Sequence, residues 1–265
     1  MSDPLFRVNF ERLKTDIKTL SKIGRAEDLG INRTAFSDAD MQARGWLANR
    51  IKDAGLEFYQ DGAANIHGRL NWDGKLPSIM TGSHIDTVPG AGHLDGALGV
   101  MCGLEALRVL KENNTELSYP LELVAFSDEE GAFNGMFGSQ ALTGDISPEW
   151  IHSARNLQGL TLIDAMKRQG LDAMEALSAM RSPDSIKAFV ELHIEQGPIL
   201  ESKGLDIGVV EKVQGIFWTE YVFSGQANHA GTTPMASRHD AGYIAASASH
   251  FLRELVNKTG SSQAV

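Results

Sequence analysis

Ile79-Met80-Thr81-Gly82-Ser83-His84-Ile85-Asp86 is a short apolar run that turns polar at its end. A bounded run of this kind predicts a strand, and the rest of the chain can be read outward from it. His84 and Asp86 stand two apart where the strand ends, so their side chains are expected on the same side. A metal-binding imidazole usually donates its second ring N–H to a carboxylate or carbonyl, and Asp86 is placed to orient His84 in that way. Taken alone, the same residues also read as a turn-capping Asp beside a buried His.

Downstream, residues 96–110 predict a buried helix, with Asp95 just ahead of it, where the helix dipole and free N–H groups favour an anion whether or not it has a function. Leu121-Glu122-Leu123-Val124-Ala125-Phe126 predicts a core strand that ends at Ser127-Asp128-Glu129-Glu130. Three acids so crowded repel one another unless cations or solvent absorb the charge. Ala188-Phe189-Val190-Glu191-Leu192-His193 predicts a third strand, expected to deliver His193 and Glu195 to one face with Gln196 following. Upstream, Phe6, Phe10, Leu13, Ile17 and Leu20 mark an amphipathic helix, and Ser37 is a capping residue for a second helix running to Gly55. Short strands are expected at residues 56–60 and 65–70, and further helical pieces at residues 162–168 and 174–180. This alternation predicts an α/β sandwich.

Joint occurrence decides among the individual readings. Open α/β sheets bind ligands at the carboxyl ends of their strands, and here three successive strands end in His-Ile-Asp, Asp-Glu-Glu and His-Ile-Glu. Two histidines with carboxylates are a usual ligand set for hydrolytic zinc and related divalent ions, and Asp95 could bridge two of them.

The chain has 265 residues, 42% hydrophobic and 22% charged, which suits one large globular domain or two modest ones. Lys and Arg total 24 against 34 for Asp and Glu, so a formal charge of −10 argues against nucleic acid as a partner. The single Cys102 forms no internal disulfide, and the N-terminus shows no basic and apolar leader, so a reducing cytoplasm is the expected setting. No apolar run is long enough to predict a membrane span. From Asp206 the texture changes to strand-like residues 207–213 and 217–223 and a helix from Ser237 to Lys258. The expected domains are residues 1–212 and 213–265, and the sequence is expected to stop within the second, whose two strands and one helix cover too little of a sheet.

Gly82-Ser83-His84-Ile85-Asp86-Thr87-Val88, Asp95-Gly96, Asp128-Glu129-Glu130-Gly131, Glu191-Leu192-His193-Ile194-Glu195-Gln196-Gly197 and Asn228-His229-Ala230-Gly231-Thr232-Thr233-Pro234-Met235 follow one another in this order. Together they resemble the metal-dependent amidase branch of the M20 peptidase superfamily, the hydantoinase/carbamoylase group of N-carbamoyl-L-amino-acid hydrolases, β-ureidopropionases and allantoate amidohydrolases. The resemblance implies a three-layer α/β sandwich with a dinuclear metal site at the strand ends, plus the start of an inserted α+β lid and dimerisation domain. It implies two divalent ions, zinc first and manganese, cobalt or nickel as alternatives. His84 and His193 would bind one ion, Asp95 would bridge, and Glu130 would bind the second. Glu129 would be the general base, activating water. Gln196 and His229 would contact the ureido or amide group, with His229 presented from the lid to the partner subunit's site in a homodimer.

The implied reaction is hydrolysis of a linear C–N bond in a small N-carbamoyl or ureido acid. His193 favours this over peptide cleavage, because the peptidase branch tends to carry an acid there; an aminopeptidase or dipeptidase is the alternative enzyme, and a metal-binding or dimerising remnant the alternative outside enzymes. Many relatives have an Arg-Phe pair where this chain reads Ala132-Phe133-Asn134, so local substrate contacts are expected to differ. Family members continue for well over a hundred residues and supply a last His to the second metal site. The chain is therefore expected to be C-terminally truncated, to hold at most about one tight ion by itself and to show no measurable hydrolysis. Were a second ion held, His93 and His239 would be the first residues to examine.

Overall fold

The computed structural model describes residues 6–27, 30–213, 215 and 219–259. The chain folds as two units, Met1–Lys203 and Gly204–Val265, so residues 204–212 group with the second unit rather than with the first expected domain.

In the first unit a small antiparallel pair, β1 (Arg25–Ala26) and β2 (Gly30–Ile31), precedes a five-stranded sheet. Its strands are β3 (Glu57–Gln60), β4 (Ile66–Leu70), β5 (Ser78–His84), β6 (Leu121–Phe126) and β7 (Ile186–Val190), in the spatial order β3-β4-β6-β5-β7. β3, β4 and β6 pair antiparallel, whereas β6, β5 and β7 are parallel neighbours. The sheet is therefore mixed, and the three strands with polar ends release their chains at one edge. Gly82 lies in the middle of this parallel core with φ +148°; a Cβ there would stand 1.8 Å from the Val124 carbonyl oxygen, so only glycine lets the two strands approach.

Helices cover both faces. Leu20 of α1 (Phe10–Leu20), Leu47 and Ile51 of α2 (Asp38–Asp53), and Val100, Leu104 and Leu107 of α3 (Ala97–Glu112) pack with Leu123 and Ala125 of β6. On the other face, Met80 and Val124 pack with Leu142 of α4 (Phe137–Thr143). A further core joins Phe137 to Ile151 of α5 (Pro148–Ser153), Leu162 and Met166 of α6 (Leu162–Arg168) and a 3₁₀ segment, Ala173–Ala179. Each such buried side chain contributes about 1.5–3 kcal/mol. α7 (Ile199–Ser202) closes the unit.

Four expectations need correction. α1 begins at Phe10 rather than Phe6, because the Asn9 side chain accepts the Arg12 N–H and starts the helix there. β7 ends at Val190, so His193 and Glu195 share no strand face; the Glu195 carboxylate instead accepts the Ile199 and Leu200 N–H groups and caps α7. In the second unit residues 207–213 and 219–223 form no strand, while Phe217 and Trp218 lie outside the described residues. Val209, Val210 and Val213 are 80–91% exposed, and an apolar alternation becomes a strand only where a neighbour pairs with it and buries one face. α8 (Ala241–Thr259) starts past Ser237 because the Asp240 carboxylate accepts the Tyr243 N–H. No helix among the described residues is long and apolar enough to cross a membrane.

Beneath the sheet lies a buried polar network. Glu122 of β6 accepts from Ser78 Oγ at 2.8 Å, Arg69 Nε at 3.1 Å and an Arg181 guanidinium nitrogen at 2.7 Å. His67 lies with Nδ1 3.0 Å from Glu122 and Nε2 3.4 Å from Asp61. Burial works to lower the His67 pKa, but Asp61 and Glu122 outweigh it and hold the ring above its ordinary 6.5. Burial likewise pushes Glu122 up, and His67 and Arg181 more than reverse this, drawing it well below 4.5. The signs are opposite. His67 stabilises the fold fully below pH 6.5, and that stability is lost as pH rises through its raised folded-state value. Glu122 stabilises it above pH 4.5, and that stability is lost as pH falls through its lowered value. Thermal melting against pH is thus expected to decline on both sides, and His67→Gln should flatten the alkaline decline. An unchanged profile in that variant would remove His67 as its source.

Candidate metal centre

β5 ends at His84, and the turn beyond it is held by a buried arginine. Arg33 Nε donates to the Ile85 carbonyl at 2.5 Å, its guanidinium also reaches the Leu20 and Ile23 carbonyls, and its backbone exchanges hydrogen bonds with Thr87. With the turn so fixed, His84 Nδ1 lies 3.0 Å from the Asp86 carbonyl oxygen. A carbonyl only accepts, so Nδ1 carries a proton and Nε2 is the ring atom available to a metal ion. The expected orienting carboxylate is 3.8 Å from Nδ1, too far for a hydrogen bond. Asp86 Oδ2 instead accepts the Glu130 N–H at 3.2 Å, joining the loops after β5 and β6. Burial pushes the Asp86 pKa up to about 7, with His84 opposing it, and Asp86 Oδ1 is buried without a partner.

α3 opens at Gly96, whose backbone has φ +59° and ψ −48°. This bend sets Asp95 beside the imidazoles. His193 Nε2 lies 3.2 Å from Asp95 Oδ1, and Gln196 Nε2 donates to Asp95 Oδ2 at 2.7 Å. His193 Nδ1 faces the Ile194 carbonyl at 2.9 Å, so this ring too turns Nε2 toward Asp95 and the centre of the cluster. One donor atom each from His84, Asp95 and His193 lies within 4.8 Å of the others.

Glu129 Oε2 stands 3.4 Å from His84 Nε2, with the Glu129 side chain about one-third exposed. Glu130 lies outside the three-donor cluster, but its Oε1 is buried without a partner, and burial raises its pKa, with Asp95 and Glu129 adding to the rise. Two imidazole lone pairs, a shared carboxylate and buried carboxylate oxygens without partners fit a divalent ion such as zinc. The third acid of the Asp-Glu-Glu run has another role. Asp128 is fully buried, accepts the Ala132 and Phe133 N–H groups, and clamps the loop that carries Glu129 and Glu130. Burial moves it up to about 6, those N–H groups drawing it back. Asn65 accepts the Ser127 N–H and anchors the same loop. Neither the clamping role of Asp128 nor those of Arg33 and Asn65 carries a motif in the sequence. His229 lies in the second unit, with Nδ1 accepting from the Gly231 and Thr232 N–H groups.

Fold and donors together describe a mixed α/β protein with a His–Asp–His cluster able to hold a metal ion at the carboxyl ends of its parallel strands. The chain belongs to peptidase family M20/M25/M40, whose sequence profile matches residues 80–263. It is 39% identical over 255 residues to an N-carbamoyl-L-amino acid amidohydrolase of Geobacillus stearothermophilus, covering 94% of this chain and 62% of that protein. It is 38% identical over 237 residues to an allantoate deiminase of Arabidopsis thaliana, covering 84% and 44% respectively. Its fold is similar to that of a hydantoinase/carbamoylase family amidase from Burkholderia phymatum, with TM-score 0.78 and 35% identity over 99% of this chain and 64% of that one. The chain thus spans about three-fifths of the N-carbamoyl-L-amino acid amidohydrolases it matches, 57–62% of their length.

Proposed function

We propose that these residues form the catalytic centre of a cytoplasmic, metal-dependent amidohydrolase that cleaves a linear C–N bond in a small N-carbamoyl or ureido acid. The observation that carries the reading is the convergence of His84, Asp95 and His193, with Glu129 against His84, in a chain related to amidohydrolases of carbamoyl and ureido compounds. His84, Asp95 and His193 would hold one ion, and Asp95 with Glu130 a second. When bound, such ions polarise the scissile carbonyl and lower the pKa of water.

Glu129 takes the proton of the attacking water on its carboxylate and returns it to the departing nitrogen. Gln196, already tied to Asp95, orients the ureido group, and Asp86 holds the two metal-bearing loops in register. His229, from a lid domain, donates to the developing oxyanion in the partner subunit of a homodimer.

The test is release of ammonia from N-carbamoyl-L-amino acids and allantoate against release of amine from dipeptides, by the chain and by the same residues in a protein of the relatives' length. Amine release alone would replace this reading with the peptidase one. Because the described residues bring three donors together at one place, the 265-residue chain is expected to retain one equivalent of zinc, reduced below half by His193→Ala. Two tightly held equivalents in metal analysis would show that a further ligand is at work.

A further inference from the structure

We infer that Arg238 is a positioning residue that, with the backbone amides of Gly231 and Thr232, locks His229 as an Nε2–H hydrogen-bond donor. His229 Nδ1 lies 3.0 Å from the Gly231 nitrogen and 3.2 Å from the Thr232 nitrogen. Backbone amides only donate, so Nδ1 must present its lone pair and the ring proton resides on Nε2. His84 and His193 differ in this respect, for their Nδ1 atoms face carbonyls and therefore donate.

The turn that achieves this is braced from one side chain. Arg238 donates through one terminal nitrogen to the Ala230 carbonyl at 2.5 Å, and through that nitrogen and Nε to the Thr233 carbonyl at 3.0 and 3.1 Å. Ala230 and Thr233 flank the two donating amides, so the planar guanidinium grips the turn on both sides of them. The Thr233 N–H closes back on the His229 carbonyl at 3.3 Å, and the Gln226 N–H on the His239 carbonyl at 3.0 Å. The whole device lies within the second unit. Its catalytic meaning rests on the proposed amidohydrolase reading: a fixed Nε2–H is what stabilisation of an oxyanion requires.

The tautomer itself is tested without activity. Long-range ¹H–¹⁵N spectra of the ¹⁵N-histidine-labelled chain, assigned with His229→Gln, should place His229 Nδ1 at an unprotonated shift and Nε2 at a protonated one. Arg238→Ala should move the two His229 shifts toward each other as the Nδ1–H form becomes populated. Gly231→Pro, which deletes one donor, should do the same, whereas Gly231→Ala, which keeps it, should not. That glycine pair decides the matter if Arg238→Ala disturbs α8. A protonated Nδ1 in the unmodified chain, or shifts unmoved by Arg238→Ala in a chain of unchanged helicity, would overturn the inference. Absence of ammonia release by a protein of the relatives' length would count against the proposed function and leave these spectra as they are.

Discussion

Glu129→Gln is expected to lower ammonia release by about 10²–10⁴-fold, measured on the active form, while leaving bound metal unchanged. The two halves of this result have separate causes. Glu129 is not one of the three converging donors, and its neighbour Glu130 has the oxygen that is buried without a partner. Glutamine keeps the size and hydrogen-bonding reach of Glu129 but has no carboxylate to take a proton. The side chain is partly open to solvent and lies 3.4 Å from His84 Nε2, where water meeting the donor cluster can reach it. Retained turnover would remove Glu129 as the base, and lost metal would make it a ligand.

Gly96→Ala should be nearly as damaging, through the other half of the machinery. A Cβ at this position would stand 2.4 Å from both Cδ2 and Nε2 of His84, and the backbone φ of +59° is itself one that side-chain-bearing residues rarely adopt. The strain alone costs about 1–3 kcal/mol. Relief by moving the ring is blocked, because His84 is buried and its Nδ1 is tied to the Asp86 carbonyl. The start of α3 or the imidazole must shift, and either breaks the approach of His84 to Asp95. Zinc affinity, measured by competition with a chelator, is expected to fall by at least the roughly 10–100-fold typical of disturbed supporting contacts. Wild-type affinity in a folded Gly96→Ala chain would mean that His84 is not a ligand.

Much of the architecture is legible along the chain. Ser37 precedes a helical stripe and does cap α2, accepting the Asp40 N–H, because a cap needs only residues within one turn. The apolar run of β6, interrupted only by Glu122, marks a strand buried on both faces, and the mostly apolar residues 97–110 mark the buried α3. The residues of the candidate site are visible for the same reason: His84, Asp95, Glu129, Glu130 and His193 sit at or near the ends of elements whose type their own neighbours specify.

Other features depend on residues distant in sequence. That β5 lies between β6 and β7, so that three strand ends share an edge, follows from which crossovers bury the sheet, not from any local pattern. Asp128 and Glu130 look alike in a run of acids, yet one is an internal clamp satisfied by backbone N–H groups and the other has a buried oxygen without a partner. His193 and Glu195 are two apart as on a strand, but the chain leaves the sheet after Val190 and Glu195 turns to cap α7. The apolar residues 207–213 have strand-like composition and no strand, since pairing requires a neighbour to accept the hydrogen bonds. Caps and periodicity are settled by bonds and side chains a few residues apart and can be read directly. Strand order, burial of a particular carboxylate and the meeting of His84 with His193 are settled by the free energy of packing the whole unit, which no short stretch of sequence contains.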